Sequence, residues 1–177
     1  MKELERNVKS VIRDVPNFPS EGIVFKDITT LLANPNLNAQ VLSKFQEKAK
    51  DLNPDVVIGI DSRGFLFGNS IASELKIPFV PVRKQGKLPY DTISISYELE
   101  YGQSVLEIHK DAIKKGDKVL IHDDLLATGG TAEAASKLVE DLGGVVIGYS
   151  FLIHLSFLPG MAKLSNISNN LFAIATY

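Results

Sequence analysis

The chain has 177 residues, 45% hydrophobic and 23% charged, with a net charge of −2 and no cysteine. These values fit one globular domain over 1–177, exclude a disulfide framework and a cysteine nucleophile, and supply no field for non-specific nucleic-acid binding, so any phosphate recognition has to be local. Residues 1–10 mix charges of both signs and no apolar stretch is long enough for a bilayer; we therefore expect no signal peptide, no membrane or nucleic-acid partner, and a cytoplasmic location.

Leu4, Val8, Val11 and Ile12 recur at helical spacing and predict an amphipathic opening helix that Pro16 and Pro19 terminate. The segment Phe18 to Ile28 is too rich in turn residues and aromatics for a plain linker; Phe25 by itself reads as core. Pro35 to Leu52 is a second amphipathic helix, and Val56 to Ile60 a fully apolar strand. Continuous apolar strands separated by helical segments predict a parallel sheet covered on both faces. Ligands of such sheets sit beyond the carboxyl ends of the strands. Asp61-Ser62-Arg63-Gly64 follows the Val56 strand and is a site candidate on that rule. A helix over 65–75 and a strand from Phe79 to Val82 come next. Arg83-Lys84-Gln85-Gly86-Lys87-Leu88-Pro89 then groups three cations around a glycine. A charge run in isolation is a solvated face, but this one also stands at a strand's carboxyl end. From Tyr90 to Ile108 the residues alternate with period two on either side of Gly102, which predicts a hairpin or flap.

Val119 to Thr131 carries the chemistry. A strand over 118–122 ends in Asp123-Asp124, and the loop Leu125-Leu126-Ala127-Thr128-Gly129-Gly130-Thr131 opens a helix. Backbone N–H groups of Ala127 to Thr131, with the Thr128 and Thr131 hydroxyls, suit a phosphate. The two carboxylates suit sugar hydroxyls or a divalent cation. A phosphorylated sugar satisfies both halves. The covering helix, 132–142, buries Ala135, Leu138, Val139 and Leu142 and ends at Gly143-Gly144; strands over 145–153 and 171–175 complete the sheet.

Asp-Asp-Leu-Leu-Ala-Thr-Gly-Gly-Thr resembles the phosphoribosyl diphosphate motif of type I phosphoribosyltransferases, and specifically their adenine branch. The hood segment Phe18 to Ile28, the Asp61 to Phe67 loop and the Glu100-Tyr101 flap match the same family in the same order. The resemblance implies an α/β fold with a mainly parallel twisted sheet flanked by helices, a hood over about 1–35 and a flap over about 83–108. It implies conversion of adenine and 5-phosphoribosyl 1-diphosphate to AMP and diphosphate, with Mg²⁺ held mainly through the substrate and no protein metal ligands. On this resemblance Asp123 and Asp124 hold the ribose hydroxyls, and Ala127, Thr128, Gly129, Gly130 and Thr131 the 5′-phosphate. Arg63, Gly64, Arg83, Lys84 and Lys87 face the diphosphate, Lys87 from the neighbouring subunit of a homodimer. Val24 and Lys26 present backbone groups to the adenine edge, beside Phe25. Glu100 handles a proton at the purine while Tyr101 shields the reacting centre, and Arg63 joins them in catalysis. The alternatives are a transferase for 6-oxopurines and a non-catalytic sensor of the sugar diphosphate; the latter typically carries a DNA-binding module, for which the sequence before Phe18 offers no basic helix-turn-helix and no room.

Three positions depart from the family pattern. His122 stands where a small apolar residue is usual, His154 where a glutamate is usual, and Met161 where an arginine is usual. None removes a residue assigned to the reaction.

Overall fold

The structure is a computed structural model and describes residues 1–98 and 103–177. Its frame is a sheet of order β5-β6-β4-β3-β7-β8-β9. The strands are β3 (Val56–Ile60), β4 (Phe79–Lys84), β5 (Thr92–Glu98), β6 (Gln103–His109), β7 (Lys118–Leu126), β8 (Val145–His154) and β9 (Leu171–Thr176). β4, β3, β7, β8 and β9 run parallel, while β6 pairs antiparallel with β4 and with β5.

Alternation along the strands sends side chains to both faces. Ile58, Ile121 and Tyr149 pack into one core with α5 (Gly130–Asp141) and α6 (Gly160–Ser165). Val57, Leu120 and Leu152 pack into another, under α1 (Lys2–Val11), α3 (Pro35–Leu52) and α4 (Gly64–Leu75). Both faces are therefore covered, and the strands read as unbroken apolar runs. The start of α3 follows from its sequence: the Asn34 side chain accepts from Leu37 N at 3.1 Å and Pro35 takes the first helical position. Asn53, at φ 50°, closes its other end.

Helix and strand ends shift by one or two residues at α4, α5, β8 and β9, and three departures from the sequence reading are larger. The chain before Pro16 forms a strand, β1 (Arg13–Pro16), which pairs antiparallel with β2 (Val24–Asp27) to make a separate two-stranded hood; a helix, α2 (Thr29–Leu32), follows. β4 continues through Arg83 and Lys84, because β6 pairs with both residues. β7 runs on to Leu126, since β8 keeps pairing with it from Asp123 to Leu126. The acidic pair thus lies inside a strand.

His122 sits in the middle of the second core, with its ring 4.9 Å from that of Phe45 and its Nδ1 2.8 Å from Ser150 Oγ. Burial pushes its pKa down to about 3, against a partly opposing contribution from Ser150. The ring is therefore neutral in the folded chain where the unfolded chain has taken up a proton, below a pH of about 6.5. Stability should fall on acidification through that window, by about 1.4 kcal/mol per pH unit. Urea unfolding at pH 7 and pH 5 checks this: the loss in the native chain should exceed that in His122→Leu by about 2 kcal/mol. Equal losses would refute the assignment.

Candidate active site

The carboxyl ends of β3 and β7 lie side by side, and between them opens a cavity of about 320 Å³. Asp61, Ser62 and Arg63 form one wall, the stretch Asp123 to Ala132 the other, and Lys84 reaches in from β4. The Asp61–Ser62 peptide bond is cis. α4 begins directly after it, at Gly64, and runs close under β7. A Cβ at Gly64 would stand 2.8 Å from His122 O and 3.1 Å from Asp123 Oδ1, so only glycine permits this approach.

Asp124 is 4% exposed, and its Oδ2 lies 3.1 Å from Arg63 Nε. Asp123 Oδ1 accepts the backbone N–H of Asp124 at 2.8 Å. Burial first, then repulsion from Asp124, pushes the Asp123 carboxyl well above its ordinary range. Asp124 is also raised by burial, with the Arg63 guanidinium holding it partly back. Two coupled carboxyls in one buried site attract hydroxyl donors and cations, which relieve the repulsion. Arg63 also reaches the hood: its guanidinium carbon is 4.8 Å from the centre of the Phe25 ring, which meets Phe18 edge-on.

Beyond β7 the chain turns through Ala127 and Thr128 to Gly129, whose φ of 82° starts α5. The first N–H groups of that helix have no intrahelical acceptor and face the cavity beside the Thr128 and Thr131 hydroxyls. Such donors suit an anion, and they line the same cavity as the two carboxylates. Lys84 supplies a cation opposite.

The remaining sequence candidates take different places. Arg83 donates from Nε to Asp61 Oδ2 at 3.0 Å and from Nη1 to Lys87 O at 3.2 Å, and so braces the loop after β4. Lys87 is exposed and, like Arg83, is not among the residues lining the cavity. The Lys26 ammonium is engaged by Asp14 Oδ1 at 2.6 Å and lies over the Tyr177 ring. β2 has no second partner strand among the described residues, so one of its edges is unpaired. Val24 and Lys26, two residues apart, present their main-chain groups along the same edge. Glu100 and Tyr101 lie outside the described residues.

Some contributors were not singled out from sequence. Tyr97 lines the cavity from β5, with its hydroxyl 3.5 Å from Thr131 Oγ1. Gly160 starts α6 against the anion loop, where any Cβ would overlap Ala127 O and crowd Leu126. Gly160 follows the loop by some thirty residues, and nothing local marks it. Among the described residues no group of three or more His, Cys, Asp or Glu is placed to hold a metal ion.

The family model for the phosphoribosyl transferase domain matches residues 27–155. The adenine phosphoribosyltransferase of Cytophaga hutchinsonii is 50% identical over 174 residues, covering 98% of this chain and 96% of that protein. The crystal structure of adenine phosphoribosyltransferase from Thermoanaerobacter pseudethanolicus superposes with a TM-score of 0.93 at 45% identity, covering 97% of this chain and 99% of that one. The Saccharomyces cerevisiae enzyme, solved with an imino-altritol bisphosphate and adenine, gives a TM-score of 0.90 at 39% identity over 98% of this chain and 99% of that one.

Two outcomes follow from the packing and charge of the site. Asp123→Asn keeps the acceptor for Asp124 N and removes the repulsion. A carboxyl raised in the folded state favours folding when protonated and opposes it as pH rises, so this variant should unfold at higher urea than the native chain at pH 8, with the advantage shrinking towards pH 4. A lower midpoint at pH 8 would contradict the charge account. Gly160→Ala should destabilise by about 1–3 kcal/mol through overpacking, read as a lower urea midpoint.

Proposed function

Because the chain belongs to the phosphoribosyl transferase domain family, by its match over residues 27–155 and its relatives at about half identity, we propose how its own residues carry out the family's chemistry. The fold is that of type I phosphoribosyltransferases, and the reaction is that of the adenine branch: adenine and 5-phosphoribosyl 1-diphosphate give AMP and diphosphate in purine salvage. One observation carries the residue-level reading. An acidic pair, Asp124 buried and Asp123 half-buried, and a helix start rich in N–H and hydroxyl donors share the walls of a single cavity of about 320 Å³.

In this reading the 5′-phosphate occupies Ala127 to Thr131. Its attraction to the helix dipole is worth about 0.3–1 kcal/mol, so the individual N–H and hydroxyl contacts carry most of the binding. Asp123 and Asp124 accept from the ribose hydroxyls. Ser62, Arg63, Gly64 and Lys84 receive the diphosphate, with Arg83 shaping their loop. Adenine lies against the hood, read by the main chain of Val24 and Lys26 and packed beside Phe25. A donor and an acceptor on one strand edge suit the 6-amino group and the adjacent ring nitrogen.

Displacement at C1′ passes through an oxocarbenium-like state, in which bond breaking to diphosphate runs ahead of bond making to the base. Positioning and electrostatics supply the rate enhancement; one donor aimed at developing charge contributes roughly 3 kcal/mol. Glu100 is assigned to take or return the purine proton, and Tyr101 to shield C1′ from water. A Mg²⁺ ion carried by the sugar diphosphate would supply positive charge for the departing diphosphate, beside the cations Arg63 and Lys84. The all-oxygen, electronegative Asp123-Asp124 pair is compatible with such a cation nearby. Lys87, exposed and not among the residues lining its own cavity, supports a homodimer in which it serves the neighbouring site. The cysteine-free composition supports a cytoplasmic location.

A steady-state assay with Mg²⁺ and 5-phosphoribosyl 1-diphosphate, offering adenine, hypoxanthine and guanine separately, tests the reading. AMP should form with adenine alone. Asp123→Ala should lower kcat/KM by at least about 100-fold, equivalent to ~3 kcal/mol of lost transition-state binding. Turnover of a 6-oxopurine would overturn the hood assignment, and undiminished activity of Asp123→Ala the ribose assignment.

A further inference from the structure

The loop after β4 is bound to the sheet by a carboxylate that the reaction scheme leaves without a task. Glu107 lies on β6, directly opposite Arg83 of β4, and is 4% exposed. Its Oε1 accepts two backbone N–H groups, from Lys87 at 2.9 Å and from Leu88 at 2.8 Å. Gln85 N donates to Val105 O at 3.0 Å, and Gly86, at φ 81°, makes the reversal between them. Burial pushes the Glu107 carboxyl up, but the amides of Leu88, Gly86 and Lys87 outweigh it and leave it below its ordinary value. Charge-assisted hydrogen bonds of this kind are about twice as strong as neutral ones.

The connection continues past the loop. Lys87 O accepts from Arg83 Nη1, and Arg83 Nε donates to Asp61 Oδ2, in the turn that leads to Ser62 and Arg63. A buried carboxylate on β6 therefore braces the reversal that directly follows Lys84 and, through Arg83, the turn that carries Arg63; Lys84 and Arg63 are the cations that line the cavity among the described residues. We propose that Glu107 is a positioning residue for the diphosphate, fixing the 85–88 reversal and, through Arg83, the Asp61–Arg63 turn. This rests on the function proposed above, and it adds a residue that touches neither substrate.

Steady-state kinetics in both directions test it, with Glu107→Ala and Glu107→Gln. The reverse reaction separates the two ligands, because AMP carries no diphosphate. Glu107→Ala should raise the KM for 5-phosphoribosyl 1-diphosphate and for diphosphate by about tenfold or more, with the KM for adenine and for AMP within about twofold of wild type. Glu107→Gln keeps a neutral acceptor of the same length and should recover most of that loss. A merely structural role predicts something else: fewer active molecules, a lower kcat and unchanged KM values. That pattern, or an equal rise in all four KM values, overturns the proposal. Should Glu107→Ala fail to fold, the same split in Glu107→Gln decides, with a smaller rise confined to the two diphosphate-bearing ligands. If wild type forms no AMP, the proposed function fails instead. Calorimetric titration of inorganic diphosphate into wild type and Glu107→Gln then still decides the positioning role: weaker binding to the variant supports it and equal binding overturns it.

Discussion

Adjacent carboxylates in a buried strand repel each other and lose their water, so β7 tolerates Asp123 and Asp124 only with compensation from outside the strand. Arg63 supplies the charge, 3.1 Å from Asp124. It reaches that position because α4 starts directly after the β3 turn, and α4 fits there because residue 64 has no side chain. The anion cradle depends on the same register. β8 holds β7 extended as far as Leu126, and only then does the chain turn into the N-terminus of α5. A strand one residue shorter would move the cradle relative to the carboxylates and exchange the faces on which they stand.

That arrangement divides the cavity by sign. The β7 wall offers acceptors to hydroxyls, the α5 start offers N–H donors to a phosphate, and the β3 and β4 ends offer cations. Two of the cations are already paired in the free protein, Arg63 with Asp124 and Arg83 with Asp61. The two pairs serve different ends. Arg83 is tied through two of its three nitrogens to the protein, which makes it a brace for the backbone. Arg63 has one carboxylate neighbour and an aromatic face, and its side chain is 37% exposed. It is the group free to exchange partners when a ligand brings hydroxyls to Asp124 and negative charge to the turn.

Sequence made the parallel sheet legible because its strands are apolar on both faces and its helices amphipathic; β3 and α3 match the expected bounds without change. It was least informative where polar residues sit in strands. Arg83, Lys84, Asp123 and Asp124 all looked like loop residues by composition, yet neighbouring strands pair with them. The hood strand β1 was missed because Arg13-Asp14-Val15-Pro16 has neither length nor apolar content; pairing with β2 creates it. The walls of the cavity were legible through the motif around Asp123 and through the rule that strand ends carry ligands. Gly160 and Glu107 were not, because each acts on a segment remote in sequence through its backbone. Such contacts leave no pattern in spacing.

At His154 and Met161 this chain places uncharged side chains close to the loop that follows β7. His154 ends β8 beside Leu126, 8% exposed, and burial pushes its pKa below the ordinary imidazole value. It is therefore neutral near pH 7. Met161 packs, half-buried, against the core that includes Leu126 and Leu164. Where the family pattern would set a glutamate and an arginine, this chain sets an uncharged ring and a flexible apolar side chain. Replacing both members of a buried ion pair by packed neutral groups is often neutral or stabilising, whereas replacing one alone strands a charge. The two positions are thus considered together, and Gly160, between them in sequence, keeps its close contact with Ala127 and Leu126 at the end of β7.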